Sequence, residues 1–191
     1  MKQPIDHGAA QQAGAPRHLA DLDRRLRGWR PDRTGTLLFL VRDGQVLLIR
    51  KRRGHGAGRI NGPGGKPDPG ESPLACALRE TEEEVGVRVA AARLAAVLRF
   101  LDVAGDDWLG YVFIADQASG TPRTTAEAIP LWHPLDALPF DEMWEDDRIW
   151  LPRVLAGECL EGAFLFHAGR LQAHRLRRVE AAALGDPSAA V

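Results

Sequence analysis

Two apolar runs, residues 36–41 (TLLFLV) and 45–50 (QVLLIR), flank Asp43-Gly44. That dipeptide suits a tight turn needing positive φ, so the pair predicts a β-hairpin. Residues 92–100 (ARLAAVLRF) and 108–116 (WLGYVFIAD) predict two further strands joined through Gly105-Asp106-Asp107, and 163–169 with 170–179 predict a last hairpin about Gly169. Between the strands the period changes. Leu74, Ala77, Leu78, Thr81 and Val85 recur at helical spacing, with Ser72 suited to the N-cap, Pro73 to the first turn and Gly86 to a left-handed stop. Leu19, Leu22, Leu26 and Trp29 mark a shorter amphipathic helix near the start, packed on the domain or on a partner. Residues 1 to about 16 are polar and Ala/Gln/Gly-rich, and the stretch from Glu180 is Ala-rich, so both ends are expected to be loose. The chain thus reads as an N-terminal extension with its helix over 1–32, one domain over 33–180 and a flexible tail over 181–191, with no internal repeat or interdomain linker. Strands before and after one acidic helix, with more helix late in the chain, fit an α/β fold with a mixed sheet between helices.

The chemistry concentrates in that central helix. A turn, Gly65-Lys66-Pro67-Asp68-Pro69-Gly70-Glu71, leads into it, and Arg79-Glu80-Thr81-Glu82-Glu83-Glu84-Val85-Gly86-Val87 closes it. Residues three and four apart are neighbours on a helix, so Glu80, Glu83 and Glu84 share one side and Glu82 points elsewhere. Like charges so placed cost roughly 0.2–0.5 kcal/mol per pair. A solvated acidic face is the plain reading of such a cluster. The ordered glycines and Arg79 favour another, in which cations sit on the carboxylates. Oxygen ligands suit Mg²⁺ or Mn²⁺, and such ions would hold a phosphate chain.

Composition removes several alternatives. The 191 residues carry a formal charge of −1, which leaves no electrostatic footprint for duplex nucleic acid. Cys76 and Cys159 form no spaced set, so neither reads as a metal ligand and a reduced compartment is expected. No segment approaches the ~20 apolar residues of a membrane span, and the start lacks the apolar stretch of a signal peptide. A soluble cytoplasmic protein is expected, as a monomer or a homodimer.

The acidic segment resembles the Nudix box: Gly, five residues, Glu, seven residues, Arg-Glu, an aliphatic, any residue, Glu-Glu, any residue, Gly, an aliphatic. Gly65, Glu71, Arg79, Glu80, Glu83, Glu84, Gly86 and Val87 match, and Thr81 stands where an aliphatic is usual, at a packing position. The resemblance implies a hydrolase of nucleoside diphosphates linked to another group, built as an α/β/α sandwich. From about Thr36 to Val179 the chain is also similar to the branch that hydrolyses 8-oxo-dGTP and other oxidised purine triphosphates. Four stretches carry this: 51–62 (KRRGHGAGRING), Gly120-Thr121-Pro122 before Glu127, 138–147 (LPFDEMWEDD) with Trp150-Leu151-Pro152, and 162–166 (GAFLF).

For the site, this resemblance implies that Trp144 stacks on the purine, Asp146 and Asp147 read its edge, and Asn61 completes the pocket. Lys51, expected at the phosphates, and Thr36 complete the substrate-contacting set. Two neighbouring carboxyls in a poorly solvated pocket titrate as a coupled pair, one keeping a proton while the other accepts. Read without the family, Asp146 and Asp147 would be a helix N-cap and Trp144 a core residue, and both roles can hold together. Glu80, Glu83 and Glu84 are expected to bind Mg²⁺, or Mn²⁺, with the Gly64 carbonyl. Glu127 is a candidate metal ligand or base, and the base among Glu83, Glu84 and Glu127 stays open. Arg79 and Glu71 are expected to pair and hold the loop on the helix. The implied reaction is water attack on the α-phosphorus, releasing a nucleoside monophosphate and pyrophosphate. His55, Ile60, Glu145 and Ala128 depart from the branch, where aromatics, a Pro and a Met are usual. The alternatives are a Nudix hydrolase of another diphosphate (ADP-ribose, a dinucleotide, a capped RNA end) and a Nudix-fold module that binds nucleotide without turnover.

Overall fold

The computed structural model describes residues 15–189. The elements in chain order are α1 (Ala15–Arg25), β1 (Arg33–Arg42), β2 (Gln45–Lys51), β3 (Ile60–Asn61), α2 (Pro73–Val85), β4 (Arg93–Asp102), β5 (Trp108–Ala115), β6 (Ala128–Pro134), α3 (Asp147–Leu155), β7 (Cys159–His167) and β8 (Arg170–Val179), with 3₁₀ turns at Phe140–Glu142 and Ala181–Leu184. The strands form one eight-stranded sheet in the order β3-β2-β1-β5-β4-β7-β8, with β6 paired to β2. It is mixed: β1 runs parallel to β5 and β4 to β7, while the hairpin partners are antiparallel.

Strand alternation divides the core in two. Phe39, Val46, Leu48, Leu98, Val112 and Phe164 point to one face and pack with Trp150, Leu151 and Val154 of α3. Leu38, Leu40, Leu47, Ile49 and Phe113 point to the other and pack with Ala77 and Val85 of α2. Further along this second face Leu101, Leu165 and Ala163 receive Leu22 of α1, flanked by Leu19, Leu26 and Trp29. The sheet therefore lies between helices, as the sequence pattern indicates. Among the described residues no helix is long and apolar enough to cross a membrane.

Local signals act where they were expected. Asp43 and Gly44 take φ of 52° and 73° between β1 and β2, and Ala168 and Gly169 take 51° and 74° between β7 and β8. Ser72 Oγ accepts the Ala75 N–H at 3.2 Å, and Gly86, at φ 72°, ends α2.

Three features differ from the sequence reading. The loose stretch proposed for residues 1 to about 16 lies outside the described residues except for Ala15 and Pro16, which belong to α1. Strand β6 (AIPLWHP) escaped notice because Pro130 and Pro134 cannot donate to a ladder, and it sits beside β2 at the edge, where prolines are tolerated. Residues 181–187, expected to be part of a loose tail, are anchored: Leu184 is buried, and the Pro187 carbonyl accepts the Leu74 N–H at 3.1 Å. One apolar anchor and one backbone bond order what an Ala-rich composition left undecided.

Leu22 is fully buried beneath α1. Leu22→Ala is expected to lower the unfolding free energy by about 2–4 kcal/mol, read by urea denaturation. A loss below about 0.5 kcal/mol, the scale of an ordinary surface change, would mean that α1 does not hold to the sheet in solution.

Candidate active site

The Gly-rich loop before α2 lies along β1. The Leu38 N–H donates to the Pro63 carbonyl and the Thr36 N–H to the Gly65 carbonyl, both at 2.8 Å. Two glycines make this approach possible. A Cβ on Gly64, at φ 155°, would stand 1.9 Å from the Thr36 carbonyl oxygen, and one on Gly65 would stand 2.3 Å from the Glu80 carboxyl carbon. Thr36 supports the loop from below. It is buried, and its hydroxyl lies 3.4 Å from both the Gly65 carbonyl and Cys76 Sγ. Burial pushes the Cys76 thiol up to about 11, so it packs as a neutral group.

Arg79 ties loop to helix. Its Nε and Nη2 donate to the two Glu71 oxygens at 2.9 Å each, a bidentate pair, while Nη1 reaches Glu80 at 2.9 Å and Glu83 at 3.2 Å. The hydrogen bonds from Arg79 hold the Glu71 carboxyl below its ordinary range. Glu84 is buried and turns the other way. Its Oε2 accepts the Gly64 N–H at 2.9 Å and its Oε1 meets Lys51 Nζ at 3.1 Å. Burial raises the Glu84 pKa, against the pull of Lys51 and Gly64.

The three carboxylates of α2 therefore share a side of the helix but not a common point. Among the described residues no three His, Cys, Asp or Glu side chains gather closely enough to cage a metal ion. Mutual repulsion explains this: Glu80 and Glu83 turn to Arg79, and Glu84 turns to Lys51. The donors are nevertheless of the right kind for a hard divalent cation. Glu80 and Glu84 offer carboxylate oxygens beside the Gly64 carbonyl, and the Lys51 ammonium already bridges Glu84 and that carbonyl, at 3.1 and 3.4 Å.

Glu127 precedes β6 on a loop pinned to α2 by the Thr125 hydroxyl, which donates to the Glu84 carbonyl at 2.8 Å. Its carboxylate is paired with Arg53. It sits near the end of the acidic helix without touching the other glutamates.

A cavity of about 660 Å³ opens on the α3 face of the sheet beside the Gly-rich loop that precedes α2. Thr36, Lys51, Asn61, Gly64, Trp144, Asp146 and Asp147 all line it, so residues far apart in the chain meet there. Asn61 Oδ1 accepts the Gly62 N–H at 2.8 Å. Asp146 and Asp147 are both buried at the start of α3. Trp150 Nε1 donates to Asp146 at 2.8 Å and the Trp144 N–H to Asp147 at 2.9 Å, so the pair organises the turn into α3 while facing the cavity. Burial raises both, Asp146 to about 6 and Asp147 well above the ordinary aspartate range, with the neighbouring Asp146 charge adding to the shift of Asp147.

The aromatic lining contains a residue that sequence reasoning missed. Trp108, the first residue of β5, stacks on His55 at 5.1 Å between ring centroids, and His55 in turn stacks on Trp144 at 5.4 Å. Lys66 Nζ lies 5.0 Å from the Trp108 ring and the Arg59 guanidinium 4.3 Å from the Trp144 ring. Burial, then the charges of Lys51 and Lys66, hold His55 below the usual histidine pKa and keep it a neutral stacking partner. Trp108 read as an ordinary strand residue. Its one warning was a large aromatic opening a strand directly after a polar turn.

The chain is similar to known proteins. A family model described as the NUDIX domain matches residues 30–154. An oxidized purine nucleoside triphosphate hydrolase of Danio rerio is 36% identical over 147 residues, spanning 76% of this chain and 94% of that one. The protein of the same description from Mus musculus agrees to the same extent. A MutT protein from Bacillus halodurans superposes with a TM-score of 0.65 at 27% identity, covering 75% of this chain and 97% of the other. The glycine-supported loop, the Arg79 clamp and the acidic helix fall inside the matched region, and this chain belongs to the Nudix family.

Proposed function

We propose that this Nudix hydrolase acts on purine nucleoside triphosphates, oxidised purines such as 8-oxo-dGTP above all, releasing the nucleoside monophosphate and pyrophosphate and so clearing damaged nucleotides from the pool. One observation carries the reading: Asn61, Trp144 and the buried pair Asp146/Asp147 line the same cavity as Lys51 and Gly64 at the acidic helix. A base at one end therefore places its phosphates at the other. The similarity to oxidized purine nucleoside triphosphate hydrolases over most of the chain supports it.

Each group then has a role. Trp144 offers an aromatic face, worth roughly 1–3 kcal/mol per stacked base. His55 and Arg59 already cover that indole, so a base binds by replacing one of them. Asp146 and Asp147, with raised pKa values, hold a shared proton, so one donates to the purine edge and the other accepts. Lys51 supplies positive charge to the phosphate chain, and Asn61 adds an amide at the pocket wall. Glu80, Glu83 and Glu84, with the Gly64 carbonyl, would hold Mg²⁺, or Mn²⁺, which when bound neutralises the phosphates and makes water more acidic. Glu84 is the best placed of these to take a proton, because burial keeps its basicity high. Glu127, released from Arg53, is a second candidate. The folded domain spans 33–180 in this reading, with α1 as an extension.

The deciding experiment compares kcat/KM with Mg²⁺ for 8-oxo-dGTP, 2-oxo-dATP, dGTP, dATP, dCTP and ADP-ribose, with products resolved. Preference for oxidised purine triphosphates with pyrophosphate release is expected. Preference for ADP-ribose, or indifference to the base, would sink the purine assignment. Glu84→Gln is expected to reduce kcat by on the order of 10²–10³ with folding retained, and near-normal turnover would remove Glu84 from catalysis. Trp144→Ala should raise KM for purine triphosphates by roughly tenfold or more, the value of a lost stack, and far more than Glu84→Gln does. The carboxyl pair gives a pH signature. Asp146 is raised from 3.8 to about 6, so the folded state holds a proton that the unfolded chain releases. Its stabilising contribution is whole below the lower value and fades as pH rises to the upper one. Wild type should lose stability relative to Asp146→Asn across that window, measured by urea denaturation, whereas parallel pH profiles would show an ordinary, unshifted carboxyl.

A further inference from the structure

Helix α1 lies ahead of the matched family domain, which begins at residue 30. Its apolar side packs on the sheet, while Arg25 at its end and Trp29 just beyond it converge on one residue of the β4–β5 hairpin. Arg25 Nη2 donates to Asp107 Oδ1 at 3.0 Å and to the Asp102 carbonyl at 2.9 Å, and Trp29 Nε1 donates to Asp107 Oδ2 at 2.9 Å. The Asp102 N–H adds a bond to Oδ1 at 3.0 Å. The backbone of Asp107 is held as well: its N–H donates to Asp32 Oδ2 at 2.8 Å, and its carbonyl accepts from the N–H groups of Asp32 and Arg33 at 2.8 and 3.1 Å. The Asp107 carboxylate is only 13% exposed at the root of a loop whose tip, Val103–Asp106, is exposed.

Next in the chain stands Trp108, the wall of the cavity that stacks on His55. The neighbouring loop residues Asp102, Gly105 and Asp106 line the same cavity. We infer that Arg25 and Trp29 are positioning residues for the nucleotide site: through Asp107 they fix where β5 begins and so where the Trp108 indole stands. This rests on the purine-triphosphate reading above. A strand end joined to an exposed hairpin frays readily unless its polar groups are held. Three donors on one shielded carboxylate supply that hold, since bonds to an ionised acceptor are the stronger class. A displaced cavity wall changes how well the base is bound, before and during the reaction alike. It therefore raises KM and leaves kcat in place.

The test uses the whole 191-residue chain. Trp29→Phe keeps the packing of the ring and deletes the donor, and Asp107→Asn keeps the shape and deletes the charge. With 8-oxo-dGTP as substrate, each variant should show KM raised roughly fivefold, part of the strength of a charge-assisted hydrogen bond, with kcat within about twofold of wild type. In a Trp108→Ala background Trp29→Phe should add nothing, because the two changes act through one group. A lower unfolding midpoint with KM unchanged would overturn the inference and leave α1 a purely structural cover. The same KM rise with and without Trp108 would overturn it too. If Asp107→Asn fails to fold, Trp29→Phe alone decides. A wild-type enzyme that treats dCTP and 8-oxo-dGTP alike would remove the purine reading and this inference together, whereas a purine-selective wild type with an unaffected Trp29→Phe removes only the inference.

Discussion

The site depends on a guanidinium inside an acidic cluster. Arg79 holds Glu71 with two parallel hydrogen bonds and reaches Glu80 and Glu83 as well. Without it, a loop ending in one carboxylate would have to lie against a helix carrying several more. The charge of Arg79 turns that repulsion into a clamp, and the clamp sets where the Gly64–Gly65 backbone runs. Lys51 does the same from the end of β2, by pairing with buried Glu84. The two cations divide the acidic face between them, which is why its carboxylates stand apart. A phosphate chain with its counter-ions would meet groups that are already oriented and that need only exchange one cation for another.

The Asp146/Asp147 end of the cavity is organised by burial. Asp146 and Asp147 sit where the chain turns into α3, each taking one hydrogen bond from a tryptophan N–H. Those bonds make them part of the fold. Their low exposure makes them unusual acids, because water cannot support two adjacent charges there. One pair of residues thus shapes the turn into the helix and lines the cavity at once, so a structural role does not exclude the functional one proposed for it. The aromatic series Trp108–His55–Trp144 lines the cavity, and Trp108 follows directly on Asp107, which Arg25 and Trp29 hold.

Much of this was legible in the chain. Asp43-Gly44, Ser72 and Gly86 act through local backbone preferences, which depend on few neighbours, and each appears where its residue type placed it. The Arg79–Glu71 pair was expected from the resemblance of this stretch to the Nudix box, and the structure makes it bidentate. Less was legible where a residue's role depends on a distant partner. Strand β6 carries prolines that argue against a strand until an edge is available for it. Leu184 orders an Ala-rich end only because a docking place exists. Glu80, Glu83 and Glu84 could be assigned to one side of a helix, but not to Arg79 and Lys51 as their separate counter-charges, since Lys51 arrives from another element.

The sequence by itself determined the chemistry available to this protein: an acidic helix with its capping signals, a glycine turn that permits close backbone approach, an alternating strand pattern, and the residue types Asn61, Trp144, Asp146 and Asp147. These follow from spacing, chirality and side-chain type, which are local. Only the tertiary structure decided that Trp108 faces His55, that α1 reaches Asp107, and that Asn61, Trp144, Asp146 and Asp147 share one cavity with Lys51 and Gly64. Those facts depend on which strands become neighbours. That choice is made by burying the two apolar faces of a single sheet, a property of the whole chain that no short stretch of it contains.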